Sequence, residues 1–168
     1  MQVSSYVIKN RMNKKLIIRR AVPGDAKKTG HLYCNTIKSI NNKDYNKRQI
    51  EIWISGYDNY DKWIKKIGEQ YFYVAEQNKE IAGFASVTSE GYIDFMFTHK
   101  DYQGQGIATK LLEVIEKKAA ELKLNKLWAV VSITARPFFK SKGFKITRRY
   151  TKKVEDVIFH DAEMTKFL

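Results

Sequence analysis

Two glycines precede a segment with helical spacing in "QGQGIATKLLEVIEKKA", which begins at Gln103. The first N–H groups of a helix have no partners inside it, and the helix dipole gives this end a partial positive charge. Gly104 and Gly106 leave those N–H groups uncovered and permit backbone conformations that other residues avoid. The pattern therefore predicts a seat for a phosphate or pyrophosphate. The alternative is an ordinary turn between a strand and a helix.

Two common nucleotide motifs do not fit this loop. A P-loop needs Gly-Lys-Ser/Thr after its spacer, and the chain has none there. A Rossmann fingerprint needs a third small residue at Thr109 and an acidic residue about twenty positions later, in a βαβ unit that opens the chain. This loop lies in mid-chain, so another kind of phosphate ligand is indicated.

Asp94 is the second candidate for chemistry, because it interrupts the apolar stretch "YIDFMFT" just before the loop. Alternate residues of a strand share a face, so Asp94 lies with Tyr92 and Met96. Burial of a carboxylate is costly without a partner or a use. Asp94 is therefore a candidate for a functional role, the alternative being a strand-edge Asp bonded to backbone. Glu90 is a weaker candidate for the same role.

The elements that position these residues predict an α/β fold. Apolar periodicity, caps and turn residues predict strands over 15–22, 71–77, 80–87, 92–98, 126–132, 144–151 and 161–168. They predict helices over 26–40, 44–56, 58–68, 135–143 and from 107 onward. This order favours a mixed, mostly antiparallel central sheet flanked by helices, with one parallel βαβ unit. The 168 residues suit a single domain over 1–168.

Composition limits the partners and the compartment. The net charge of +13 invites a nucleic-acid interpretation, but lysines are spread over every segment, and no recognised nucleic-acid-binding signature is present. No apolar run reaches membrane-spanning length, and "MQVSSYVIKNRMNKKLIIRR" has no signal-peptide core, so we expect a cytoplasmic protein without a membrane partner. Cys34 is the only cysteine, and three scattered histidines show no ligand spacing, so no metal site is expected.

A family resemblance adds to this interpretation. Gln103-x-x-Gly106-x-Ala108 resembles the Gln/Arg-x-x-Gly-x-Gly/Ala signature of the GCN5-related N-acetyltransferase (GNAT) superfamily. "FTHKDYQGQGIATKLL" is similar to that family's fourth strand and following helix, and "ITARPFFKSKGF" to its Ala-x-x-Phe-Tyr-x-x-x-Gly-Phe segment. The likeness is strongest from about Tyr71 to Phe144. "DYNKRQIEIW" and "ITARPFF" also resemble a bacterial branch, the YafP-like acetyltransferases.

The resemblance implies the GNAT fold, with acetyl-CoA as cofactor in a cleft between the fourth and fifth strands. It implies that the pyrophosphate binds Gln103, Gly104, Gln105, Gly106, Ile107, Ala108 and the hydroxyl of Thr109. It further implies that the pantetheine pairs with strand residues Met96, Phe97 and Thr98, and that Ser132 and Phe138 also contact the cofactor. A backbone N–H near Phe97 would stabilise negative charge on the thioester oxygen.

The implied activity is direct transfer of an acetyl group to a primary amine. Amines are mostly protonated at neutral pH, so a base or a water relay would help. Some members of the family have an acid on the fourth strand, and the resemblance implies that Asp94 is the base or an amine-binding group. The family often has a tyrosine that protonates the leaving thiolate, and here Phe139 stands in its place. Either another group donates the proton or none is needed. Ser132 likewise replaces a common asparagine.

The acceptor site is expected on the N-terminal helices, with Tyr45, Gln49, Trp53, Tyr57, Tyr60 and Trp63 as lining residues. For most of these aromatics the alternative is a purely packing role. The acceptor is expected to be a small molecule or a peptide, and the family also includes many homodimers. Two other functions stay open: a non-catalytic module that binds acyl-CoA, and a basic protein that associates with nucleic acid.

Overall fold

The computed structural model describes residues 15–168, and most of the N-terminal segment used to judge a signal peptide lies outside that range. The strands in this part are β1 Leu16–Arg20, β2 Tyr71–Gln77, β3 Glu80–Val87, β4 Ile93–Thr98, β5 Lys126–Val131, β6 Lys145–Val154 and β7 Val157–Phe167. The helices are α1 Ala26–Ser39, α2 Lys47–Ile54, α3 Tyr60–Glu69, α4 Ile107–Glu121 and α5 Arg136–Ser141. This order confirms the predicted α/β fold. None of these helices is both long and apolar enough to cross a membrane.

The strands form two antiparallel sheets. The first has the order β1-β2-β3-β4, and the second has the order β5-β7-β6. The β2–β3 hairpin turns through Asn78 and Lys79, as predicted, and both of these residues have positive φ. The expected central sheet is therefore divided between β4 and β5.

The two sheets meet at a single point. Tyr92 and Trp128 form an isolated parallel bridge, and the Trp128 amide donates to the Gly91 carbonyl at 3.0 Å. Gly91 has a φ of +87°, and a Cβ there would lie 2.6 Å from the Lys126 carbonyl oxygen. Only glycine fits this approach. Beyond the bridge β4 and β5 are unpaired with each other, and this leaves a cleft.

Two apolar clusters cover the faces of the first sheet. On one face, α4 buries Ile107, Leu111 and Ile115 against β3 and β5. On the other face, α1 and α3 bury Ile37 and Trp63 among the aromatic residues of β2, β3 and β4. Burial on both sides holds β4 rigidly, so the side chains of its cleft edge have fixed positions.

The largest differences from the predicted boundaries are at the second helix and in the last hairpin. The second helix begins at Lys47, because the Asn46 side chain accepts from the Gln49 amide at 2.9 Å while Gln49 accepts from the Asn46 amide. This reciprocal cap fixes the helix start. The last hairpin is longer than predicted, with β6 and β7 joined at Glu155, which has a φ of 52°. Its β6 strand is mostly exposed and charged, so an apolar pattern could not mark its length.

Candidate active site

A β-bulge in β4 places Asp94 on the cleft wall. Val87 pairs with Ile93 and Ser86 pairs with Phe95, so Asp94 is an extra residue in β4. The bulge changes which face the side chains occupy: Ile93 packs on the α4 side, and Phe95 packs on the α1 and α3 side. Bulges of this kind reorient single residues and interrupt the ladder, often next to active sites.

The loop after β4 exposes a row of unpartnered amides. Gly104 and Gly106 have φ values of +71° and +79°, and a Cβ at either position would meet no neighbouring atom. Within the described chain, the amides of 103–109 donate no hydrogen bond to another residue. The Gln103 side chain turns back and donates to the Thr98 carbonyl at 2.8 Å. Consecutive free N–H groups at a helix start form a seat for an anion.

Helix α4 fixes this seat relative to the sheet. Ile107 at its first position is buried, and Leu111 and Leu112 continue the same apolar face. Ala108 and Thr109 are half-buried beside them. Of the residues predicted to contact the pyrophosphate, 103–106 form the loop and 107–109 form the first turn of this packed helix.

A cavity of about 390 Å³ occupies the cleft between β4 and β5. Met96 and Phe97 line it from β4, and Ser132 lines it from the end of β5. Thr98 instead presents its carbonyl to Gln103 and to the Thr36 hydroxyl. Phe138 packs against the α4-side core, with the Lys142 ammonium over its ring at 5.7 Å. The predicted cofactor residues are therefore divided among the cavity, the amide loop and the adjacent core.

Asp94 lies in the cavity wall, but its carboxylate has partners. Lys66 Nζ is 2.6 Å from Asp94 Oδ2, and Gln70 Nε2 donates to the same oxygen at 2.7 Å. The Asp94 side chain is 16% exposed. Its partners are side chains of α3 rather than backbone groups, so the alternative expected from the sequence, bonding to backbone, does not describe it. The predicted roles of Asp94 as base or amine-binding group stay predictions.

Asp161 is a second acidic group in the cavity wall, and the sequence analysis did not identify it. It lies on β7, and within residues 15–168 its carboxylate has no hydrogen bond or ion pair. Burial raises its pKa despite the opposing positive charges of Lys152 and Arg136. Asp161 lies in the mixed polar and apolar stretch "VIFHDAEMTKF" and interrupts no apolar run, so the signal that identified Asp94 was absent.

Four tyrosines line the cavity within residues 15–168, among them Tyr45 and Tyr92, whereas Phe139 contributes only a phenyl ring. The Tyr45 hydroxyl accepts from the Ile133 amide at 2.9 Å, and burial raises its pKa. Burial, together with the nearby charge of Asp94, raises the pKa of Tyr92 to about 12. Both phenols therefore stay protonated at neutral pH.

The predicted acceptor residues divide into two groups. Tyr45, Trp53 and Tyr57 line the cavity. The others have structural contacts outside it: Trp63 is 1% exposed and donates to the Tyr57 carbonyl, Tyr60 contacts His31, and Gln49 donates to the Ile158 carbonyl. Trp63 therefore has the packing role that the sequence analysis gave as the alternative to lining the acceptor site.

Taken together, the divided sheet, the bulged β4 and the amide loop that starts α4 define an acyltransferase of the GNAT class. The chain belongs to the acetyltransferase (GNAT) domain family, whose model matches residues 41–166. It is similar to an uncharacterized N-acetyltransferase, YafP, from Escherichia coli K12. That relative is 30% identical over 132 residues, which cover 79% of this chain and 83% of the relative.

Solved structures agree with this assignment. A GCN5-related N-acetyltransferase from Rhodopseudomonas palustris superposes with a TM-score of 0.87 at 28% identity, covering 94% of this chain and 99% of that one. The PaiA N-acetyltransferase of Thermoplasma acidophilum, solved with coenzyme A, superposes with a TM-score of 0.76 at 17% identity, covering 92% and 99%. YncA of Salmonella typhimurium was solved with acetyl-CoA and gives 0.64 at 16% identity, covering 91% and 94%. The cofactor prediction agrees with these two complexes.

Proposed function

We propose that this chain is an acetyl-CoA-dependent N-acetyltransferase that transfers the acetyl group directly to a primary amine. One observation carries the proposal: the unpartnered amides of 103–109 open beside a cleft lined by an unpaired strand edge. A small-molecule or peptide amine is its acceptor, and the cytoplasm is its proposed location. Family membership supports the reaction class.

The residues of the amide loop fit the diphosphate of acetyl-CoA. Glycine at 104 and 106 keeps the space in front of the amides free, since no side chain projects there. Gln103 braces the loop through the Thr98 carbonyl, so its backbone rather than its side chain faces the anion. Thr109 adds a hydroxyl at the first turn of α4. These groups would hold the diphosphate without a metal ligand.

The free edge of β4 fits the pantetheine arm. In an antiparallel pair, alternate residues direct their N–H and C=O groups away from the partner strand. Beyond Tyr92, β4 is the edge of its sheet within the described chain, so alternate backbone groups along 96–98 remain available, apart from the Thr98 carbonyl, which accepts from Gln103 and Thr36. When bound, acetyl-CoA supplies the thioester whose acetyl group is transferred. A β4 amide near Phe97 would stabilise negative charge on the thioester oxygen.

Tyr45 would supply the proton donor that Phe139 cannot. Tyr45 lines the cavity, and the Ile133 amide occupies one lone pair of its hydroxyl oxygen, which leaves the O–H free to donate. Since its pKa is raised by burial, the group is protonated at neutral pH. Asp94 lies in the cavity wall on β4, bonded to Lys66 and Gln70, and is one of two acidic groups there that would bind or deprotonate the amine.

A second candidate function is a module that binds acyl-CoA without turnover. It is favoured by one observation: Phe139 lies in the cavity wall and has no proton to donate. Release of free CoA that depends on an added amine would reject this alternative. The catalytic proposal fails if acetyl-CoA binds but is never consumed with any amine.

A thermal-shift titration with acetyl-CoA, CoA, ATP and NAD in parallel tests the cofactor first. A ligand that binds only the folded state raises the free energy of unfolding by RT ln(1 + [L]/Kd). We expect acetyl-CoA and CoA to raise the melting temperature, with little effect of NAD. Equal shifts with ATP would indicate a general polyphosphate site. No shift with acetyl-CoA would overturn the proposal.

A further inference from the structure

Asp161 is the unpaired acidic group of the cleft. Among residues 15–168, three charged residues line the cavity, namely Asp94, Lys152 and Asp161. Lys66 neutralises Asp94, whereas within the described chain Asp161 has no bonded partner. Asp161 is half-buried, and partial burial of an ionised carboxylate without a partner carries a cost. A cation from outside the protein would remove that cost.

Aromatic rings surround the space next to Asp161. Tyr45 lies 5.0 Å from Trp53 and 6.2 Å from Phe159, measured between ring centroids. Tyr33 and Tyr57 stack at 4.5 Å farther along the same wall. Aromatic faces attract cations and bury apolar groups. The wall therefore suits a ligand that combines an ammonium group with an apolar body.

The charges around the cavity disfavour a polycation. Lys152 lines the same wall, and the positive charges of Arg136 and Lys152 both act on Asp161. A second ammonium group would face these cations with no further free carboxylate among the lining residues. The net charge of +13 opposes its approach as well.

We propose that the acceptor is a monocationic primary amine with an aromatic or other apolar body, and that its ammonium group binds Asp161 between the rings of Tyr45, Trp53 and Phe159. This proposal rests on the proposed acetyltransferase function and names the acceptor for that same site. It makes Asp161, rather than Asp94, the acid that contacts the reacting nitrogen.

The reaction balances with Asp161 as proton acceptor. Asp161 takes one proton from the ammonium group, and the freed lone pair forms the bond to the acetyl carbon. The carbon–sulfur bond breaks, and its electron pair remains on sulfur. The second nitrogen proton is lost as the amide forms, while sulfur gains a proton and CoA leaves as the thiol. Asp161 then returns its proton to solvent, so one proton is released for each ammonium acetylated.

The first test compares Asp161→Asn with Glu163→Gln, using 2-phenylethylamine and acetyl-CoA. Glu163 is a matched control, because it lies two residues along β7, bonds to Thr147 and does not line the cavity. We expect Asp161→Asn to lower kcat/KM for the amine by about 100-fold, with unchanged acetyl-CoA affinity by calorimetry. Glu163→Gln should keep wild-type turnover. Because burial disfavours the ionised Asp161, its asparagine variant should melt no lower than wild type.

A substrate panel tests the acceptor class separately. With wild-type protein, we expect kcat/KM for 2-phenylethylamine to exceed that for spermidine and kanamycin by at least about 10-fold, the scale of one lost favourable contact. Preference for either polycation would overturn the acceptor class. Wild-type turnover in Asp161→Asn would overturn the role of Asp161. If acetyl-CoA binds but no amine on the panel reacts, the acceptor proposal fails while cofactor binding stands. If acetyl-CoA does not bind, the acetyltransferase proposal fails.

Discussion

The two walls of the cleft are built in different ways. The cofactor wall consists of backbone: the amides of 103–109 and the free edge of β4. The acceptor wall consists of side chains from α2 and its flanking turns, β4 and the β6–β7 hairpin. A backbone site depends on a few residues that permit a conformation. A side-chain site changes with each substitution, so we expect this wall to select the acceptor.

The two acidic groups of the acceptor wall show the same contrast on a smaller scale. Asp94 and Asp161 both lie in strands and both line the cavity. Asp94 is fixed by Lys66 and Gln70, so its charge is already compensated inside the protein. Asp161 has no such partner in the described chain, and its pKa is raised by burial. The comparison suggests that Asp94 has a partly structural role and that Asp161 binds a ligand.

The largest effect should come from Gly106→Val, which alters the cofactor wall alone. Valine is strained at a φ of +79° and would project its side chain in front of the amides. We expect acetyl-CoA affinity to fall at least about 100-fold, as measured by calorimetry. Gly106→Ala should give a smaller loss, because its side chain covers less of the seat.

Gly56→Val is a matched control for strain. Gly56 has a φ of +77° and open space around its Cβ position, as Gly106 has, but it follows α2 on the other wall. Both variants should lose similar stability, by roughly 1–3 kcal/mol, and only Gly106→Val should lose acetyl-CoA binding. Equal affinity losses in the two variants would mean that strain, not the amide seat, controls binding.

The contrast between a backbone site and a side-chain site also explains which features could be predicted from the sequence. Loop geometry is local, so Gly104 and Gly106 indicated the amide seat before any fold was known. The hairpin, β4 and α4 were likewise marked by local periodicity and turn residues. Asp161 and the Tyr45 hydroxyl enter the cavity only because β7 and the turn before α2 converge there. No local sequence pattern indicates that these elements converge. For the same reason the sequence did not indicate that Lys66, 28 positions away, is the partner of Asp94.

An intermediate effect is expected from Tyr45→Phe, which removes one hydroxyl from the acceptor wall. The ring still packs against Trp53, but the Ile133 amide loses its acceptor, and the cavity loses a proton donor. If Tyr45 protonates the leaving thiolate, kcat should fall about 10–100-fold, with little change in acetyl-CoA affinity. Tyr60→Phe is the control, since its hydroxyl bonds His31 outside the cavity. Unchanged kcat in Tyr45→Phe would mean that the thiolate leaves without a protein acid.

The smallest effect is expected from Asp94→Asn, which sharpens the contrast between the two acids. Asparagine keeps the shape of the side chain and can still accept from Gln70, but the Lys66 ammonium loses its counter-charge. The pair is partly exposed, so the stability cost should be about 1 kcal/mol, or roughly 2–4 °C in melting temperature for a chain of this size. Turnover should fall more than acetyl-CoA affinity, yet less than about 10-fold, because the base is not lost.

A loss as large as that of Asp161→Asn would show that Asp94 acts on the amine and would remove the distinction between a structural and a catalytic acid. The double variant separates the two cases, since independent roles give additive losses and a shared role does not.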